Sequence, residues 1–119
     1  PAAVLRLGDL SAHRDFVDVR DVARAVVLAA TAPGPLPPVL NIGGGRAVPV
    51  RDLVTSLAGR AGFRGRMEEG ATSPAGSARS AQVSWQCSDI SAAEEALGWR
   101  PAHSLDDALA ALWEGGRTP

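Results

Sequence analysis

Between Asp18 and Gly45 the chain spells out one helix, one stiff connection and one short apolar run, and few folds accommodate that order. Asp18 stands three residues before Asp21, so its carboxylate can accept backbone N–H groups while the second acid lies near the positive end of the helix. A helix over about Val19 to Ala30 is predicted. Val22, Ala23, Val26, Val27 and Ala30 fall on one stripe at helical spacing and are expected to face the core, leaving Arg20, Asp21 and Arg24 nearer the solvent. Pro33, Gly34, Pro35, Pro37 and Pro38 stop that helix. The run Val39-Leu40-Asn41-Ile42, closed by Gly43, Gly44 and Gly45, then reads as a buried strand ending in a turn.

Three more helices follow from local physics. Pro49 suits a first turn, and Val50, Leu53, Val54, Leu57 and Ala58 repeat toward one face until Gly62. Ser91 with Glu94 has the spacing of a capping box, and Gly98 offers a left-handed cap ahead of Trp99 and Pro101. Ser104 with Asp107 repeats the device and starts a helix that turns Leu105, Ala108, Leu109 and Leu112 inward and is expected to end at Gly115 and Gly116. With Leu5 already in a strand, the order is mixed: an α/β chain of about four helices and a few short strands.

At 119 residues, 45% of them apolar, the chain can bury about two thirds of its unfolded surface. That suffices for one modest core, so residues 1–119 are expected to form a single domain, with a flexible Gly-, Ser- and Ala-rich loop at about 69–81. The net charge is -1, and arginine supplies all 12 positive charges, so no broad basic field addresses a nucleic acid. No stretch reaches the roughly 18 apolar residues of a membrane helix, and the single Cys87 can close no internal disulfide. A cytoplasmic protein is the simplest expectation. The chain opens on Pro1 and reads as strand by Leu5, which is how a fragment is expected to begin.

Several residues invite a functional reading and are weighed against a plainer one. Gly43, Gly44 and Gly45 lie between a strand and a helix, where a phosphate loop would sit, but the helix starts several residues later and the spacing of a dinucleotide fingerprint is missing, so they read as a turn. His13 and His103 have no ligand partners at helical spacing, so no metal is expected. Cys87 has no local base to make it a nucleophile. Trp99 and Trp113 sit where helix ends pack and read as core, while Trp85 is open between core and a stacking role. Arg14 and Arg79 could each grip a diphosphate with two parallel hydrogen bonds, or simply pair with nearby acids such as Asp15 and Asp18.

Four motifs in order carry a resemblance. Leu7-Gly8-Asp9-Leu10 leads to Arg14-Asp15-Phe16-Val17-Asp18-Val19-Arg20-Asp21; Leu40-Asn41-Ile42-Gly43-Gly44-Gly45 follows; Arg79-Ser80-Ala81-Gln82-Val83 comes ten residues before Asp89; and Asp89-Ile90-Ser91 runs on to Leu97-Gly98-Trp99-Arg100-Pro101. Together they resemble the C-terminal, substrate-binding part of the NAD-dependent epimerase/dehydratase family of extended short-chain dehydrogenases. The match is best to GDP-mannose 4,6-dehydratases and GDP-4-keto-6-deoxymannose reductases.

That resemblance implies a nucleotide-sugar site in which Arg14 and Arg79 contact the diphosphate or nucleotide. Gln82 stands where the family has an acid that bonds the ribose, and Asp9 stands where it usually has Asn beside the nucleotide. A GDP-sugar is the expected ligand; UDP- or dTDP-sugar enzymes share the same segments, and a stand-alone degenerate binding or assembly domain is the remaining alternative. The family's chemistry uses NAD or NADP on an N-terminal Rossmann domain with a catalytic Tyr and Lys, in a parent expected to be a homo-oligomer. This chain contains neither Tyr nor Lys and no dinucleotide fingerprint, so no catalytic or cofactor-binding residue is expected in it and it should be inactive alone.

Overall fold

The computed structural model describes residues 3–70 and 83–117. The elements run β1 (Val4–Arg6), β2 (His13–Arg14), α1 (Val19–Ala30), β3 (Val48–Pro49), α2 (Val50–Arg60), β4 (Arg66–Glu68), α3 (Ser91–Leu97) and α4 (Leu105–Arg117). The fold is α/β, with four helices and short strands among the described residues, as the pattern predicts.

Two small sheets carry the strands. β1 and β4 are parallel, Val4 opposite Arg66 and Arg6 opposite Glu68. Gly65 is required there, because a Cβ at that position would lie 2.1 Å from the Ala3 carbonyl oxygen. β2 and β3 are antiparallel, with His13 opposite Pro49, and Trp85 bridges to His13 from the other side.

Each helix shows what starts and stops it. The Asp18 carboxylate caps α1 by accepting the Arg20 N–H at 2.8 Å. Pro49 opens α2 with φ -58°. Gly98 ends α3 in the left-handed region at φ +62°, its N–H donating to the Glu94 carbonyl at 2.9 Å. In α4 the capping box closes reciprocally, Ser104 N–H to Asp107 and Asp107 N–H to Ser104 Oγ, both at 3.0 Å.

The core is small. Ala25, Ala93 and Trp99 are buried, and Val17, Leu28, Ile42, Ile90 and Leu97 pack around them. Trp99 is fully buried, as its position ahead of Pro101 suggests, and its Nε1–H donates to the Asp21 carbonyl at 2.9 Å.

Five expectations are corrected. Residues 39–42 form no strand and pair with none among the described residues, and Val39 is 74% exposed. The expected inner stripe of α1 is largely outside: Ala23, Val26, Val27 and Ala30 are exposed while Asp21 is fully buried, because α1 packs through the Asp21, Ala25 and Leu28 side against α3 and Trp99. The Ser91–Glu94 capping box does not form; Asp89 accepts the Ser91 N–H and hydroxyl instead, and Glu94 pairs with Arg100 at 3.0 Å. Leu112 is exposed, since α2 covers α4 only in part. Finally, α4 continues through Gly115 and Gly116 to Arg117; each glycine costs about 1 kcal/mol in a helix, which does not by itself stop one, and Arg117 suits the negative helix end.

Candidate functional site

The resemblance singles out Asp9, Arg14, Arg79 and Gln82, and the backbone around the first two builds one corner of the molecule. Leu7 N–H donates to the Glu68 carbonyl and Gly70 N–H to the Gly8 carbonyl, so residues 7–10 lie beside the end of β4. Val50 N–H donates to the Ala12 carbonyl, which brings the start of α2 to the same place. His13 N–H donates to the Ser84 carbonyl and Gln86 N–H to the His13 carbonyl, which lays residues 83–86 along β2.

Arg14 is half-buried at this junction. Its guanidinium donates to the His13 carbonyl at 2.9 Å and to the Val83 carbonyl at 2.5 Å. Asp15 accepts instead from the Gly44, Gly45 and Ser88 N–H groups, and Asp18 from Arg20.

Asp9 is exposed and accepts the Ser11 N–H at 2.9 Å. Hydrogen bonds from the Ser11 hydroxyl and N–H hold its carboxyl below the ordinary carboxylate range, and Arg51 adds to the effect. Arg51 is the residue that sequence reasoning missed. It forms a two-pronged pair with Glu69, Nε to Oε2 at 3.0 Å and Nη2 to Oε1, while the Leu10 N–H donates to the same carboxylate at 3.3 Å. Beside Asp52 in the first turn of a helix, Arg51 carries no signal that separates it from a solvated surface charge. Arg79 and Gln82, and most of the loop expected at 69–81, lie outside the described residues.

Asp15 explains the glycine triplet. Its carboxylate accepts the N–H groups of Gly44 at 2.6 Å, Gly45 at 3.0 Å and Ser88 at 2.9 Å. A Cβ on Gly43 would lie 2.5 Å from Ser88 Oγ and one on Gly44 would lie 2.4 Å from the Phe16 carbonyl oxygen, so the backbone comes too close for any side chain. An anion-binding concavity does exist here, but the protein's own carboxylate fills it. These residues do not fit the phosphates of a dinucleotide.

A second acid ties the far end of the site-bearing segment to the rest. Asp21 accepts N–H groups from Ala102 and His103, each at 3.0 Å, a bond from Arg24 at 3.0 Å, and faces His103 Nδ1 at 3.1 Å. Burial by itself would raise its pKa, but these donors outweigh it and hold the carboxyl well below the usual range. Arg24 spans the gap, lying 5.8 Å over the Trp99 ring. Next to it, the Arg20 side chain and N–H lower Asp18 to about 2.

A cleft of about 560 Å³ lies elsewhere: Phe16, Arg46, Arg100 and His103 line it, and neither Arg14 nor Asp9 does. Its charges are mixed and Arg100 is already paired with Glu94, so volume alone does not mark it as the ligand site. Among the described residues no group of three or more His, Cys, Asp or Glu is placed to hold a metal, and no helix is long and apolar enough to cross a membrane. Trp85 is 61% exposed beside His13, and Cys87 is half-buried with its thiol near the Ser88 carbonyl.

Residues 1–112 match the family described as GDP-mannose 4,6 dehydratase. The chain belongs to the GDP-mannose 4,6 dehydratase family. Within the wider NAD-dependent epimerase/dehydratase group, it is 39% identical over 116 residues to a dTDP-6-deoxy-L-talose 4-dehydrogenase (NAD(P)(+)) from Kitasatospora kifunensis, covering 98% of this chain and 35% of that protein. Its backbone is similar to MoeE5 in complex with UDP-glucose and NAD, with 34% identity and a TM-score of 0.77 over 96% of this chain and 36% of the other. It also shares the fold of RMD from Pseudomonas aeruginosa complexed with NADPH, at 23% identity and a TM-score of 0.77, covering 93% of this chain and 35% of that one. The chain thus spans about a third of the length of each of these members of the extended short-chain dehydrogenase group.

Proposed function

We propose that this chain is the nucleotide-sugar-binding portion of an NAD(P)-dependent nucleotide-sugar epimerase, dehydratase or reductase, with a GDP-sugar as ligand, and that it has no turnover alone. The observation that carries the reading is Arg14, half-buried where residues 7–14 and 83–86 meet and braced by two main-chain oxygens. A guanidinium held on main-chain oxygens has a fixed plane, and a fixed plane is what parallel hydrogen bonds to a diphosphate require. Arg79 and Gln82 complete the site in this reading, Arg79 on the diphosphate and Gln82 accepting from a ribose hydroxyl through its amide oxygen. In this reading Asp9 stands at the nucleotide end, its carboxylate held by the Ser11 hydroxyl and N–H with Arg51 nearby.

The family match favours GDP. The 39% identity to a protein that acts on a dTDP-sugar favours dTDP as the second reading. NAD or NADP belongs to the portion of the enzyme outside this chain, because the Gly43–Gly45 turn is occupied by Asp15 and the chain has neither Tyr nor Lys. Calorimetry with GDP, UDP and dTDP on the chain joined to the remaining part of a family member tests the reading. Tightest binding of GDP supports it, tightest binding of dTDP moves it to the second reading, and no nucleotide binding overturns both.

A further inference from the structure

We infer that Arg51 is a positioning residue of the nucleotide site: it holds the Glu69 carboxylate on the main chain of Leu10 and offsets the charge of Asp9, so that the turn at residues 8–11 keeps one shape while an anionic ligand binds beside it. The inference deepens the functional reading above and rests on it for the identity of the ligand.

The turn begins where a ladder ends. β1 and β4 pair from Val4 opposite Arg66 to Arg6 opposite Glu68, and two more main-chain bonds extend the pairing, Leu7 N–H to the Glu68 carbonyl at 2.8 Å and Gly70 N–H to the Gly8 carbonyl at 3.3 Å. Past Gly8, side chains take over. The Leu10 N–H donates to Glu69 Oε1 at 3.3 Å, and the Ser11 N–H donates to Asp9 Oδ1 at 2.9 Å. Two carboxylates thus satisfy main-chain donors that a strand would otherwise take.

Two carboxylates around one turn repel, and the charge of Asp9 works to raise the Glu69 carboxyl. Arg51 reverses that. Its Nε donates to Glu69 Oε2 at 3.0 Å and its Nη2 to Oε1, a two-pronged grip. Hydrogen bonds from Arg51, and then from Leu10, hold the Glu69 carboxyl below its ordinary range against burial and the charge of Asp9. Asp9 is lowered first by its bonds from Ser11 and further by the same guanidinium.

Helix α2 brings the arginine there. Val50 N–H donates to the Ala12 carbonyl at 2.9 Å, and Arg51 is the next residue, so α2, the end of β4 and residues 7–12 meet at one cation. Glu69, Asp9 and Asp52 all act on it, and its fork is occupied by Glu69, which suits a residue that acts through the turn and not one that grips phosphate itself. The pair is also open to water, the side chains being 53% and 35% exposed, so its effect on global stability is small and its effect on the turn is local. Without Arg51 the Glu69 carboxylate turns to solvent, the Leu10 N–H loses its acceptor, and an uncompensated acid stands beside the ligand's phosphates.

The test uses this chain joined to the remaining part of a family member, titrated with GDP and with dTDP by calorimetry. Arg51→Ala should bind whichever nucleotide the wild type prefers about three- to five-fold more weakly, exchange the Leu10 amide faster by a similar factor, and keep its thermal midpoint within about 2 °C of wild type. Glu69→Ala should free the Leu10 amide to the same extent. Arg51→Lys should recover the affinity only in part, since an ammonium supplies the charge without the two-pronged grip. Unchanged affinity in Arg51→Ala overturns the inference. So does weaker binding with Leu10 exchange unaltered, which would make Arg51 a direct phosphate contact, and so does a loss of affinity that comes with a large fall in midpoint, which would make its role structural. A wild-type protein that binds neither nucleotide removes the functional reading and this inference with it, whereas wild-type binding that Arg51→Ala leaves intact removes this inference alone.

Discussion

The carboxylate of Asp15 lies against the backbone of Gly44, 29 residues away, accepting its N–H at 2.6 Å, and its second oxygen takes the N–H groups of Gly45 and Ser88. One side chain from the segment after β2 thereby joins three parts of the chain: the turn before β3, the approach to α3 and its own strand exit. The same segment carries Arg14 one residue earlier, so the stability of this junction and the placement of the arginine proposed to bind nucleotide are one problem.

Replacing Asp15 with Ala leaves three N–H groups without their acceptor. At about 1–3 kcal/mol for each donor left unpaired away from water, partly offset by entering solvent, the variant should lose at least about 2 kcal/mol in denaturant unfolding. Gly44→Ala should lose about 1–3 kcal/mol by a different route, since its Cβ would stand 2.4 Å from the Phe16 carbonyl oxygen. Wild-type stability in both variants would contradict the close approach.

Asp21→Ala should be more damaging than any surface change. It removes the acceptor of the Ala102 and His103 N–H groups and leaves Arg24 without its partner, so a loss of about 3 kcal/mol or more is expected. Because Trp99 Nε1–H donates to the Asp21 carbonyl, the fluorescence of Trp99 should move to longer wavelength if the helix shifts and water enters. Asp21→Asn keeps an acceptor and should lose less.

Acid should weaken the N-terminus of α1. The folded pKa of Asp18 is lowered from 3.8 to about 2 by the Arg20 side chain and N–H, so the folded state binds fewer protons there than the unfolded chain. That contribution is fully present above about pH 4 and is lost as the pH falls through 2. Unfolding curves measured between pH 5 and pH 2 should show stability falling, and the fall should be shallower in Asp18→Asn. An identical pH dependence in the two proteins would show that Asp18 does not contribute.

Arg14→Ala should weaken nucleotide binding ten-fold or more in the assembled enzyme, the loss expected for one charged hydrogen bond of about 1.5–3 kcal/mol. Arg14→Lys should not restore it, because an ammonium cannot bridge the His13 and Val83 carbonyls and a phosphate with one planar fork. Calorimetry with GDP checks both, and unchanged affinity in Arg14→Ala would remove this residue from the site.

Much of this protein is legible along the chain because its causes are local. The Asp18 cap, Pro49 at the start of α2, the left-handed Gly98 and the Ser104–Asp107 box depend on groups within a few residues, and each forms as the spacing predicts. The motifs that carry the family likeness are also contiguous, so membership could be recognised without coordinates. Tertiary structure alone decided which side of α1 faces inward, that a charged residue rather than valine is buried there, that residues 39–42 find no strand among the described residues, and that Arg51 comes within reach of Asp9. Periodicity reports that a helix has an apolar face but not what lies opposite it. Burial and pairing are set by distant segments, as the bonds of Asp15 to Gly44 and of Asp21 to His103 show.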